Sequence, residues 1–163
     1  MYKSTSSLIL MATALGTLLP TSASAEVSAN VGFASEYYYR GAFQNKTSAS
    51  AGIDLEEGGF SLGAWTADVG DGLEVDGYLS YGIETDAGFS ASIGATGYYY
   101  TGDFDDTYEE INLNLGFKML GVEYSVGSND NFDGPKLDYD FLAVTLEHNG
   151  FYGTVGSWGD DFD

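Results

Sequence analysis

Between Val27 and Trp158 the chain repeats one motif about nine times: a run of roughly seven to twelve residues in which apolar side chains alternate with small or polar ones, closed by a turn or loop. The alternation is plainest where Leu73, Val75, Leu79, Tyr81 and Ile83 hold one parity and Glu74, Asp76, Ser80, Gly82 and Glu84 the other. The next run sets Phe89, Ala91, Ile93, Ala95 and Tyr99 against Ser90, Ser92, Gly94 and Thr96. Successive side chains of a strand point to opposite faces, so a period of two predicts strands with one greasy and one wet face. No run carries the 3.6-residue period of an amphipathic helix. The expected fold is all-β, an antiparallel up-and-down transmembrane β-barrel with about 9 strands visible and 10 or more when complete.

The connections sort by length. Residues 57–59, 85–88, 118–121 and 147–150 are short and contain glycine, which supplies the positive φ of a tight hairpin. Residues 41–48, 70–72, 101–107 and 128–136 read as the longer, mostly acidic set. In transmembrane barrels short turns face the periplasm and long loops face outward. Pro135 falls in a long loop, as the loss of a ladder donor requires.

Residues 1–25 read as a cleaved secretory signal, with Lys3 before an apolar stretch from Leu8 to Leu19 and an A-x-A site ending at Ala25. That stretch is too short to span a bilayer as a helix. Residues 26–163 then form one barrel domain, exported to the outer membrane of a Gram-negative bacterium. Counted from a periplasmic N-terminus, the ninth run goes outward, whereas single-chain bacterial barrels have an even strand number. A C-terminal truncation is therefore expected.

Apolar residues make up 44% of the chain and aromatics 15%, yet no segment after Ala25 suits a transmembrane helix. In a barrel those residues face lipid. The chain has no cysteine, so its fold does not depend on disulfides. Its 25 acidic against 5 basic residues exclude nucleic acid as a partner, because phosphate contacts need Lys and Arg. Excess surface acid is also what a salty habitat tolerates through screening.

The order Ser35-Glu36-Tyr37-Tyr38-Tyr39-Arg40-Gly41, Trp65-Thr66-Ala67-Asp68-Val69, Glu74-Val75-Asp76-Gly77-Tyr78, Gly97-Tyr98-Tyr99-Tyr100 and Tyr108-Glu109-Glu110-Ile111 resembles the TorF family of porin-like proteobacterial proteins. The S-x-Y-x-x-R-G opening is its most specific piece, and the likeness covers nearly all of the chain after the signal. The resemblance implies a porin-like outer-membrane protein and brings no functional residues with it.

Candidate residues come from the strand pattern. The wet parity holds Glu36, Asp54, Glu56, Glu74, Asp76, Glu84, Glu110 and Glu123, with Arg40 and Lys118 as the inward bases, and these are the expected pore-lining set. Two cations cannot pair eight carboxylates, so the interior is expected to hold water or cations. Small inward residues such as Ser80, Gly82, Ser92 and Gly94 leave volume for them. Against an open pore, barrels of about eight strands are filled by their own side chains. Tyr37, Tyr38, Tyr39, Tyr98, Tyr99, Tyr100 and Trp158 read as an aromatic girdle at one membrane interface. Asp103, Asp105 and Asp106, and Asp130 with Asp133, are weak candidates for divalent cations, because their spacing is not that of an EF-hand loop. No cofactor is implied. His148, the single histidine, sits in a turn beside Asn149-Gly150, and no cysteine nucleophile or G-x-S-x-G elbow accompanies it. The chain is not read as an enzyme.

The expected function is passive diffusion of small hydrophilic solutes, preferring cations through the acidic lumen. Outer-membrane lipid and those solutes are the partners it implies. One alternative is a non-conducting structural or adhesive barrel with acidic extracellular loops. The other is a secreted lipocalin-like binding barrel, for which the apolar parity must point inward.

Overall fold

Each alternating run forms a strand in the computed structural model, which describes residues 25–132 and 134–162. The expected signal sequence lies almost wholly outside the described residues, and so does Asp133. The strands are β1 (Glu26–Ala34), β2 (Tyr37–Tyr39), β3 (Ala42–Asn45), β4 (Ser48–Glu57), β5 (Phe60–Gly70), β6 (Gly72–Glu84), β7 (Phe89–Tyr100), β8 (Tyr108–Phe117), β9 (Leu120–Asn129), β10 (Leu137–His148) and β11 (Phe151–Asp160). Nine of them make one antiparallel up-and-down sheet in the order β1-β4-β5-β6-β7-β8-β9-β10-β11, while β2 and β3 pair with each other. Among the described residues the outer edges of β1 and β11 carry no ladder. As first and ninth strands of a meander, they run in the same direction.

The four-residue stretch Tyr37 to Arg40 reveals how strongly the sheet curves. The Tyr37 ring packs on Trp65 of β5 at 5.9 Å and its hydroxyl donates to Glu74 of β6 at 3.0 Å. The Tyr39 hydroxyl meets that of Tyr98 on β7 at 2.7 Å. Arg40 bonds Glu110 on β8 and Glu123 on β9, lies over Phe141 on β10, and its carbonyl accepts from Trp158 Nε1 on β11 at 3.2 Å. Seven flat strands would spread these partners over roughly 29 Å. Four extended residues reach about 13 Å. The sheet therefore wraps around the β2–β3 hairpin in a barrel-like curve, with the hairpin inside.

Parity is settled by this wrapping. Glu74, Asp76 and Glu110 on the concave face are buried, whereas Leu79, Ile93, Ile111, Leu113, Leu142 and Val144 on the convex face are exposed. The tight turns at residues 58–59, 85–88, 118–119 and 149–150 lie at one end, here the turn end. The connections at residues 35–47, 71, 101–107 and 130–136 lie at the other, the loop end.

Two expectations need correction. Residues 70–72 are not a long loop: Asp71 alone links β5 to β6, with Gly70 and Gly72 both at positive φ (89° and 101°). A bulge between Asp68 and Gly70 absorbs the change of register. The turn is this tight because it packs on the next connection, Thr101 N–H donating to the Leu73 carbonyl at 2.9 Å. The second correction concerns the first connection, which is not an open loop but turns inward as the β2–β3 hairpin.

A side chain at Gly72 would sit 2.6 Å from the Gly102 nitrogen in a left-handed conformation, whereas one at Gly77 meets nothing within 4 Å. Gly72→Ala should therefore cost about 1–3 kcal/mol of unfolding free energy. Gly77→Ala should stay within about 0.5 kcal/mol of the parent. Urea unfolding of refolded protein in detergent or lipid measures both, and equal effects would refute the packing assigned to the turn.

Candidate functional site

Two residues of positive φ, Arg40 (45°) and Gly41 (86°), reverse the chain between Tyr39 and Ala42. A two-residue hairpin turn with both centres left-handed matches the strand twist. A non-glycine in that region costs of order 1 kcal/mol. Contacts of the Arg40 side chain offset the cost. Its Nη1 and Nη2 donate to Glu110 Oε2 and Oε1 at 2.8 and 3.0 Å, its Nε and Nη2 to Glu123 Oε1 at 3.1 and 2.5 Å, and Nη2 also to Ser125 Oγ at 2.9 Å. The rings of Phe141, Tyr39 and Trp158 lie 4.6, 4.9 and 5.6 Å from the guanidinium carbon. A planar fork that pairs carboxylates and stacks on rings is what arginine provides and lysine does not.

Glu110 is the other half of the contact. Its side chain is 0% exposed, against 9% for Arg40. Besides the two bonds from Arg40 it accepts from Tyr98 Oη at 2.7 Å, Tyr139 Oη at 3.0 Å and Asn112 Nδ2 at 2.6 Å. A buried carboxylate is tolerated when a cation and donors fill its lone pairs. Around it the rings of Tyr98, Tyr108, Tyr139, Trp158 and Phe162 make a chain of edge contacts at centroid distances of 5.2 to 6.4 Å. On the far side of the hairpin, Tyr37, Ala67 and Val69 form a small buried core with Trp65, Tyr100 and Phe104 against it. The loop-end half of the concave space is thus filled.

The turn-end half is different. Ser61, Ser80, Gly82, Ser92, Gly94 and Gly116 share the concave face there and are half-exposed, so the lining of this half is mostly small, with Tyr78 and Tyr152 as large side chains of the same parity.

The predicted lining residues distribute unevenly over these two halves. Glu74, Asp76, Glu110 and Arg40 come together at the hairpin, with Glu123 at its lower margin. Asp54 is held one step lower by the Tyr78 hydroxyl at 2.5 Å. Glu56 and Glu84 share the concave parity but are exposed at the turn end, and Glu36 is exposed in the link between β1 and β2. Lys118 is not an inward base. It occupies the β8–β9 turn at φ 55°, exposed, with its ammonium 5.1 Å from the Phe117 ring.

The aromatic girdle is corrected in part. Tyr37, Tyr39, Tyr98, Tyr100 and Trp158 turn to the concave side and pack around the hairpin, where Tyr37 and Tyr98 donate to buried carboxylates and Tyr39 meets the Tyr98 hydroxyl. Tyr99 faces outward, and Tyr38 packs on Phe43 at 5.3 Å. Sequence reasoning missed Tyr139, Phe141 and Ser125, while Asn112 was read as one of the small inward positions. Their shared parity with Ala143 and Glu123 was the available signal.

The loop acids are engaged within the loops. Asp105 accepts from Tyr108 at 2.8 Å, the Phe132 amide donates to Asp106 at 2.6 Å, and Lys136 approaches Asp130 at 3.1 Å. The last contact raises the Lys136 pKa above its ordinary value through that hydrogen bond. Among the described residues no group of three or more His, Cys, Asp or Glu is placed to hold a metal ion, Asp103, Asp105, Asp106 and Asp130 included.

Removing one partner of a buried ion pair leaves the other uncompensated, so Arg40→Met should lower unfolding free energy by about 3–5 kcal/mol. Glu110→Gln in the Arg40→Met background should recover part of that loss. Arg40→Lys should not behave as a conservative change. A denaturant double-mutant cycle reads these terms, and additive effects at the two positions would refute the pairing.

No curated protein and no solved structure matches the chain. The model of the Gcw_chp family, described as a bacterial protein of unknown function, matches residues 20–160, and the chain belongs to that family.

Proposed function

We propose that the chain is an outer-membrane barrel of the porin-like kind that TorF proteins represent, with a lumen stoppered from the outside by the β2–β3 hairpin, so that small cations pass at a low basal rate. The observation that carries this reading is a reversal of polarity along the strands. On the convex face β6 presents Leu73, Val75, Leu79, Tyr81 and Ile83, and β8 presents Ile111, Leu113, Leu115 and Phe117, all exposed. Nearer the loop end the convex positions become polar: Asp68, Glu109, Ser128 and Asp138. The last three stand side by side across β8, β9 and β10. At that same level Val69 and Tyr139 turn inward and are buried. Below the reversal the sheet is dressed for an apolar solvent, above it for water.

The dimensions agree with a bilayer. Leu73 to Ile83 spans about 33 Å along the strand. At the roughly 40° tilt of membrane barrels this gives about 25 Å of height, the usual lipid-facing band. A lipocalin-like reading needs the apolar parity inside, and here it is outside. That among the described residues no helix is long and apolar enough to cross a membrane does not bear on a barrel.

Conduction is supported by the small, half-exposed lining at the turn end and by acids that outnumber the inward cations. A non-conducting barrel is favoured by the bulky, hydrogen-bonded filling of the loop end. The two readings separate in planar bilayers. The parent protein should show small, cation-selective steps, and replacing residues 37–45 with a short glycine-serine link should enlarge them. Silence from both proteins, each inserted and folded, would leave the structural barrel as the account.

A further inference from the structure

Asn149-Gly150 is the one Asn-Gly pair of the chain, and its neighbour His148 is the one histidine. The pair forms the turn between β10 and β11, at φ 51° and 80°, and closes on the paired residues His148 and Phe151. Asn-Gly is the favoured sequence for a two-residue hairpin of this hand. The turn accounts for the residue types but not for the contact beside them. His148 Nε2 lies 3.0 Å from Asn149 Nδ2, and both side chains are exposed to solvent.

The chemistry open to this group is attack of the Gly150 nitrogen on the Asn149 side-chain amide carbon, which closes a succinimide ring. That step needs room at the nitrogen and an N–H that is not already engaged. Gly150 has open space, since a Cβ built there would meet nothing within 4 Å, and its amide sits between the paired residues, outside the ladder. Glycine also permits the rotation that brings nitrogen to carbon. By contrast Asn30, Asn112 and Asn114 lie within strand ladders and are followed by Val31, Leu113 and Leu115, whose side chains crowd the attacking nitrogen. Once the nitrogen has added, Nδ2 is an amine and leaves only with an extra proton. An imidazole at hydrogen-bond distance, a group that changes charge between about pH 5 and 8, can deliver it.

We propose that Asn149 is a self-modifying site that deamidates through a succinimide, with His148 as the acid that expels ammonia. The Gly150 N–H gives its proton to water and the bond from nitrogen to Cγ forms. The Cγ–Nδ2 bond then breaks as His148 protonates the leaving nitrogen, and water restores the imidazole proton. A further water opens the ring at either carbonyl to give aspartate or isoaspartate, so asparagine and water become acid and ammonia. Isoaspartate carries the main chain through the former side-chain carbon and adds a methylene to the turn. Among the described residues β11 has one ladder, to β10, and that ladder starts at this turn. Conversion therefore adds a negative charge beside Glu147 and loosens an edge strand of the sheet. The step is independent of whether the barrel conducts.

The test is mass spectrometry of full-length protein aged in lipid bilayers at neutral pH, digested and fragmented so as to separate aspartate from isoaspartate. Asn149 should convert progressively to both, while Asn30, Asn112 and Asn114 in the same digest stay intact. Protein aged in denaturant gives the rate without the turn, and the folded protein should match or exceed it. His148→Gln should slow conversion several-fold in the folded protein and little in denaturant, because the contact belongs to the folded turn. An Asn149 that persists in the folded protein, a folded rate below the denatured one, or a His148→Gln rate equal to the parent's overturns the proposal.

Discussion

The contact between Arg40 and Glu110 decides what the interior of this molecule is. The chain contains one arginine, placed at the tip of a hairpin whose turn is mildly strained. Its guanidinium joins two strands of the far wall and stacks on rings from a third and a fourth. A lysine would supply the charge without the fork or the stacking surface. Because Glu110 is wholly buried, hairpin and wall are mutually dependent: without Arg40 the carboxylate has phenol and amide donors but no counter-ion. That asymmetry makes the hairpin a docked part of the interior.

From this contact the two halves of the concave space follow. The hairpin occupies the loop end, and the aromatic side chains around it serve both as packing and as donors to acids. Below its reach the same face carries mostly serine and glycine, with Tyr78 and Tyr152 among them. The charge divides in the same way, Glu110 and Glu123 being paired with Arg40 while Glu74 and Asp76 are not. On the proposed reading the loop-end filling keeps basal conductance low.

The strands and their faces were legible because a period of two is a local property of the backbone, and β6 or β8 needs no partner to display it. The turns at residues 58–59, 85–88 and 149–150 were legible from glycine for the same reason. What escaped was set by contacts remote in sequence. Tyr37 and Glu74 are 37 residues apart, and Arg40 and Glu123 are 83 apart. Reading the tyrosines as a girdle assumed that one face keeps one polarity along a whole strand. In β5 and β10 the polarity inverts near the loop end, where Val69 and Tyr139 go in and Asp68 and Asp138 go out. The single-residue link at Asp71 was hidden because its glycines resemble those of a longer loop, and only its packing on residues 101–102 shows why it is tight.

Since Arg40 is the one arginine, uniform guanidinium labelling reports on it alone. The most direct measurement is a rotational-echo solid-state NMR experiment on full-length protein in lipid bilayers, with ¹⁵N in arginine and ¹³C in the glutamate carboxyls. A hairpin docked by contacts of 2.8 and 3.0 Å to Glu110 predicts strong dephasing, lost for the most part in Glu110→Gln/Glu123→Gln, where glutamine carries no label. Absence of dephasing in folded parent protein would mean that the hairpin stands outside the barrel, and the account of a stoppered lumen would fall with it.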